Sequence, residues 1–186
     1  MIDISGVFAI DGHDGSGKTT LARALAQRTN GSYQRTFQGL TGEALLIAAK
    51  RGEVEEVVRV GEEAISRAIA AAGSVRPIVL DRGWMTVASL IGWNRFSSLW
   101  HLWIPTALCW VNLAITLDRL ARRGEPPETN DTHAHYLREY RSLAHHTRSY
   151  VLRTDLNSES DCLQLLLMWV KGIFPEETDS GFLTLG

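Results

Sequence analysis

The stretch Val7-Phe8-Ala9-Ile10-Asp11-Gly12-His13-Asp14-Gly15-Ser16-Gly17-Lys18-Thr19-Thr20 carries the decisive pattern. A short apolar run, Val7 to Ile10, ends in Asp11-Gly12. Thr19 to Arg28 then places Leu21, Leu25 and several alanines at helical spacing, so the order is strand, loop, helix. Gly12 to Thr19 fits G-x-x-x-x-G-K-[ST] at each fixed position. Glycines there let backbone N–H groups turn inward onto phosphate oxygens, and the helix that follows presents the positive end of its dipole. Lys18 would reach the β- and γ-phosphates of a nucleoside triphosphate, with the Thr19 hydroxyl on Mg²⁺. The expected ATP-binding set is Gly12, His13, Asp14, Gly15, Ser16, Gly17, Lys18, Thr19 and Thr20. The competing reading is a glycine-rich turn that binds nothing.

Outward from this loop the pattern keeps alternating. Ser32 to Phe37 reads as a strand, Gly42 to Lys50 and Glu53 to Ala72 as helices, and Pro77 to Leu80 as a buried strand running into Asp81-Arg82. Residues 84 to 103 read as helix, Ala107 to Asn112 as strand, and Thr116 to Arg123 as a helix closed by Gly124 ahead of Pro126-Pro127. Thr132 to Thr147 is a further helix, Ser149 to Arg153 a last strand and Ser160 to Phe174 a closing amphipathic helix. Such alternation predicts an α/β fold with a parallel sheet covered by helices on both faces. One domain is expected over 1–174, followed by a polar, mobile tail over 175–186.

Composition narrows the function classes. The 186 residues carry 19 Lys+Arg against 21 Asp+Glu, a formal charge of -2, which leaves no global basic field for holding long nucleic acid non-specifically. Cys109 and Cys162 form no C-x-x-C pattern, so neither a disulfide scaffold nor a zinc site is expected, and a reducing cytoplasm fits. Phe96 to Leu117 lacks Asp, Glu, Lys and Arg, but Pro105 interrupts it and its second half reads as a buried strand, so no membrane span is expected. The start of the chain lacks the basic and apolar pattern of a signal peptide. His133 and His135 are two apart on a helix and His145 and His146 are adjacent, spacings that suit surface histidines rather than a shared metal.

Neither an Asn-Lys-x-Asp guanine motif late in the chain nor an Asp-x-x-Gly after the third strand is present, which argues against a GTPase switch. A kinase instead needs cations that spread charge moving between donor and acceptor. Three blocks, Phe8 to Thr20 (FAIDGHDGSGKTT), Asp81-Arg82, and Arg119 to Glu128 (RLARRGEPPE), resemble the signatures of the thymidylate kinase family, within the nucleoside monophosphate kinases. The resemblance runs from about residue 5 to residue 174. It implies a P-loop NTPase fold with a five-stranded parallel sheet, ATP as donor, a nucleoside monophosphate as acceptor, a short lid about 119–131, and a homodimer.

Residue by residue, the resemblance makes Lys18, Arg82, Arg122, Arg123 and Asp81 the catalytic set, with Thr19 and Asp81 at the magnesium position. Asp14, Arg35, Arg67, Arg82 and Trp84 would face the acceptor. Trp84 fits pocket and core equally well, and Glu63/Arg67 and Asp118/Arg122 also fit plain i,i+4 surface ion pairs. Glu63 stands where the family has an aromatic that stacks on thymine, and Leu90-Ile91 replaces its Tyr-Gln pair. The base is therefore left open. Two other readings stay in play: a same-fold kinase of a hydroxyl on a nucleoside or on a hydroxymethylated base in DNA, with Asp14 or Asp81 taking the proton, and a nucleotide-binding module without transfer.

Overall fold

The computed structural model describes residues 2–124 and 128–172. Five strands, β1 (Val7–Asp11), β2 (Ser32–Arg35), β3 (Ile78–Asp81), β4 (Thr106–Trp110) and β5 (Tyr150–Arg153), form one sheet in the order β2-β3-β1-β4-β5. All four pairings are parallel. The helices are α1 (Lys18–Arg28), α2 (Leu40–Lys50), α3 (Val54–Ala71), α4 (Trp84–Ile91), α5 (Trp93–Ser97), α6 (Leu113–Arg122), α7 (Asn130–Thr147) and α8 (Glu159–Val170). The α/β architecture predicted from the alternation is thus the one observed.

Strand alternation sorts the core into two layers. From β1, Val7 and Ala9 point into a cluster with Ile65, Met85, Phe96 and Leu143 from α3, α4, α5 and α7. Ile10 points the other way, toward Leu21, Leu25, Leu166 and Trp169 from α1 and α8. Phe8 packs edge-on against Trp169 on that same side. Strands buried on both faces read as unbroken apolar runs, which is why β1 and β3 stand out in the sequence.

One predicted element is divided. The single helix expected over 84 to 103 ends at Ile91, restarts at Trp93 and stops at Ser97. Gly92 sits between the pieces at φ 79, a left-handed conformation that breaks the run, and no helix covers 98–105. Among the described residues no helix is long and apolar enough to cross a membrane. The predicted tail over 175–186 and the last residues of the closing helix lie outside the described residues, as do 125–127 within the lid-like segment.

Candidate functional site

The loop between β1 and α1 lies at the carboxyl edge of the sheet, where a parallel fold gathers its site. Its shape rests on glycines that admit no side chain. Gly12 has φ 143, and a Cβ there would collide with the Cys109 carbonyl oxygen of β4. Gly15 has φ 78 and lies against the Thr116 backbone of α6. Gly17 at the start of α1 has no side chain to cap it, and among the described residues none does, which leaves the first N–H groups to an anion.

Inside this cradle Lys18 is buried. Its Nζ donates to the His13 carbonyl at 3.3 Å and to Asp14 Oδ1 at 3.4 Å. Burial pulls its pKa below the usual lysine value and Arg82 pushes the same way, while Asp14, Asp81 and Asp11 oppose. Arg82 reaches the same carboxylate, its Nη2 standing 2.5 Å from Asp14 Oδ1. Burial alone would raise the Asp14 pKa, but Arg82 and Lys18 outweigh it and bring it down to about 2. Asp14 is thus an anion that holds two cations together in the cradle.

Arg82 is placed by strain and by three braces. Its φ of 77 is uncommon for a non-glycine residue. Its N–H donates to Ile10 O at 3.0 Å, and its carbonyl accepts from the Thr36 hydroxyl at 2.7 Å. Asp11 fixes the following turn: Oδ2 accepts from the Gly83 and Thr86 amides at 2.8 and 3.1 Å, and Oδ1 accepts from the Thr86 hydroxyl at 2.7 Å. This buried carboxylate at the start of α4 complements the helix dipole. Tyr140 of α7 closes the side of Arg82, with its hydroxyl 3.4 Å from Nη1 and 3.0 Å from Thr86 Oγ1.

Asp81, one residue before Arg82, is buried at the end of β3. Its Oδ2 accepts from the Tyr33 hydroxyl at 2.8 Å. Asp81 Oδ1 and Ser16 Oγ are buried without a hydrogen-bond partner among the described residues. Such atoms call for a ligand, an ion or water. A hydroxyl from Thr19 and a free carboxylate oxygen from Asp81 are the hard donors that magnesium takes, so the residues present fit that ion.

The remaining expected residues divide. Arg35 pairs in register with Asp81, so it stands at the same edge of the sheet, exposed. Arg67 does not come to the cradle. Gly61 of α3 packs against Val87 and Trp100, and Arg67 lies six residues further along, roughly 9 Å down the helix axis toward the turn into the start of β3. There it is exposed and donates to the Glu63 carbonyl at 3.3 Å. Glu63 is bound to Arg59 in a surface network with Glu56, so the helix face that resembles a base-reading one is an ion-paired exterior. Trp84 is 2% exposed, donates to Ile104 O at 3.1 Å and stacks on Phe96, which places it in the core. Arg122 pairs with Asp118, and Arg123 caps the end of α6, exposed, just before residues 125–127.

Several site residues escape the sequence reading. Arg119 bonds the loop from beneath, donating to Gly15 O at 3.0 Å and to Thr154 Oγ1 and O at 3.2 and 2.8 Å. The Thr154 hydroxyl in turn donates to Ser16 O at 2.8 Å. Arg119 lies inside the RLARRGEPPE block, but nothing there separates it from Arg122 and Arg123. His133, expected at the surface, is 5% exposed and bonded to His13 of the loop. Asp11, Tyr33 and Tyr140 carry no sequence signal of their own.

No protein-family profile matches the chain, and no curated protein does. Solved structures do match. A deoxyadenosine kinase from M. mycoides, with dCMP and dCDP bound, gives a TM-score of 0.60 at 13% identity, covering 90% of this chain and 100% of that one. The YorR protein from Bacillus subtilis, in complex with phosphorylated GDP, gives 0.63 at 13%, with 89% and 95% covered. The chain has the fold of the P-loop nucleoside monophosphate kinases. A thymidylate kinase from Ehrlichia chaffeensis shares this P-loop kinase fold, with a TM-score of 0.58 at 14% identity over 91% of this chain and 100% of that one.

Proposed function

We propose that this chain transfers the γ-phosphoryl group of ATP to a nucleoside monophosphate, most simply a deoxynucleotide. The observation that carries the reading is the meeting of Lys18 and Arg82 on Asp14, within a loop built to receive phosphate. Transfer between two anions needs fixed positive charge where negative charge develops, and little covalent chemistry from the protein. Lys18 holds the donor β- and γ-phosphates, and Arg82 bridges toward the acceptor. Asp14 keeps both cations in place until phosphate oxygens displace it. When bound, magnesium neutralises charge on the donor oxygens, and Thr19 and Asp81 are the residues that would hold it. Arg122 and Arg123 approach the donor from outside; among the described residues Arg122 has an exposed pair with Asp118 to give up, worth under about 1 kcal/mol.

Arg35 is the acceptor-phosphate cation under this reading. It stands beside Asp81 in the sheet register and makes no hydrogen bond or ion pair with the described residues. The displacement of Arg67 favours a second reading, because it leaves Arg35 alone for that task. A hydroxyl acceptor needs no phosphate-binding cation, and one similar structure is a kinase named for the nucleoside deoxyadenosine. The test is ATP consumption, with ADP and product detected separately, against ribo- and deoxynucleoside monophosphates, nucleosides, and DNA with and without hydroxymethylpyrimidines. Transfer to a monophosphate supports the first reading and names the base. Transfer to a hydroxyl alone replaces it with the second, and binding without transfer leaves a nucleotide-binding module.

A further inference from the structure

His13 and His133 lie 120 positions apart and meet inside the protein, with His13 Nε2 2.8 Å from His133 Nδ1. Their residues are 6% and 5% exposed. Tyr136, one turn along α7, stacks on the His13 ring at 5.6 Å with the planes 17° apart. A single hydrogen bond between two imidazoles uses one N–H, so one ring donates and the other accepts. Two leucines would fill this volume without taking polar rings out of water, which packing alone does not repay. What the imidazoles supply and leucines would not is a directional bond between the loop and α7.

Each end of that bond is anchored. On the α7 side, His133 lies in a capped first turn: its amide donates to Thr129 O at 3.2 Å, and the Thr129 hydroxyl accepts from the Thr132 amide at 3.2 Å. On the loop side, the His13 carbonyl accepts from the Ser16 amide at 3.2 Å and from Lys18 Nζ at 3.3 Å. The other acceptor for that ammonium is Asp14, which Arg82 also uses. Rotation of the His13 residue would therefore release half of the hold on Lys18.

We propose that His133 is a positioning residue of the phosphate loop: its Nδ1 fixes the His13 ring, and through it the peptide whose carbonyl directs the Lys18 ammonium. The inference rests on the reading of this loop as the ATP-binding element. It adds a partner from α7, a helix far from the loop in sequence, and assigns it to binding geometry rather than to packing.

The test is titration of full-length protein with a fluorescent ATP analogue and Mg²⁺, beside turnover and circular dichroism, for wild type, His133→Leu, His133→Asn and His13→Leu. Asn places an amide atom near the Nδ1 position, so it keeps the bond while Leu removes it. His133→Leu should raise the Kd for the analogue about fivefold or more, the scale of one buried hydrogen bond, and His133→Asn should stay within about twofold of wild type. Should His133→Leu fail to fold, His13→Leu removes the same bond from the loop side and should show the same loss. Where both fold, the double variant should be no worse than either single one. Equal binding by wild type and the Leu variants overturns the inference, as do an Asn variant no better than Leu and losses that add in the double variant. Wild-type protein that binds no nucleotide overturns the reading of the loop itself, and this inference with it.

Discussion

Arg119 Nη1 donates to the carbonyl oxygen of Gly15 across 104 positions of sequence, while its other nitrogen holds the Thr154 carbonyl. The phosphate loop is thus bolted to Thr154, the residue that follows β5, by one planar guanidinium. Lysine cannot reproduce that fork. Arg119→Lys should cost about 1–2 kcal/mol of stability, seen as a lower urea midpoint at unchanged slope, and should weaken nucleotide binding as well. An unchanged midpoint would show the fork to be idle.

Lys18→Ala should reduce turnover by at least two orders of magnitude while circular dichroism stays that of wild type. The ammonium is buried and held by two acceptors, so its loss removes charge from the site without opening the core. Turnover equal to wild type would contradict the proposed mechanism at its first step.

Tyr33 and Asp81 offer a graded test of the proposed magnesium position. Tyr33→Phe removes one donor to Asp81 Oδ2 and leaves the carboxylate charged, so stability should fall by about 1 kcal/mol with a small change in the magnesium requirement. Asp81→Asn removes the charge and should raise the magnesium concentration for half-maximal activity severalfold. The pair is read from magnesium titrations at saturating nucleotide.

Acid should weaken the fold through His13. Burial, the largest influence, lowers its pKa from 6.5 to about 4. Above pH 6.5 the ring is neutral in both folded and unfolded chains and contributes nothing. Between 6.5 and 4 the unfolded chain takes up a proton that the folded one refuses, so stability falls as pH falls, by on the order of 2–3 kcal/mol across the full window. Urea midpoints at pH 7, 6 and 5 test this, and His13→Leu should flatten the slope between pH 6.5 and 5.

Trp84→Phe separates core from pocket. The indole gives up its bond to Ile104 O and some packing on Phe96, so stability should fall by about 1–2 kcal/mol. The KM for the acceptor should stay within about twofold of wild type. A selective rise in that KM would return Trp84 to the acceptor wall.

What was legible in the sequence was local. The glycine spacing of the loop, the apolar runs of β1 and β3, and the Asp81-Arg82 step at a strand end each describe their own surroundings, and the structure assembles them at one edge of the sheet. Failures came where a residue's role depends on a distant neighbour. His133 has the spacing of a surface histidine, and its bond to His13 makes its burial tolerable. Trp84 belongs to the core because the chain breaks at Gly92 and folds Phe96 beneath it, a break hidden inside a helical pattern. Arg67 and Glu63 have the right spacing on a helix, but the height at which α3 packs on α4 sets that pair away from the cradle. Arg119 shows the reverse: a residue that looks like one of three similar arginines becomes unique once β5 is beside it.

The brace from Thr36 to the Arg82 carbonyl makes the two halves of the site unequal. Lys18 depends on β1 and α1, which lie mid-sheet and are dismantled only when the whole domain opens. Arg82 depends in part on the residue after β2, an edge strand paired on one side by β3 alone and followed by α2, whose Leu46 and Ile47 face outward. Fluctuations that peel this edge away would release the Thr36 brace and loosen Arg82 on that side while Lys18 stays seated. Amide exchange should therefore run faster through β2 and Thr36 than through β1. The donor would find a site already formed, and the acceptor would arrive at one that its own phosphate helps to order.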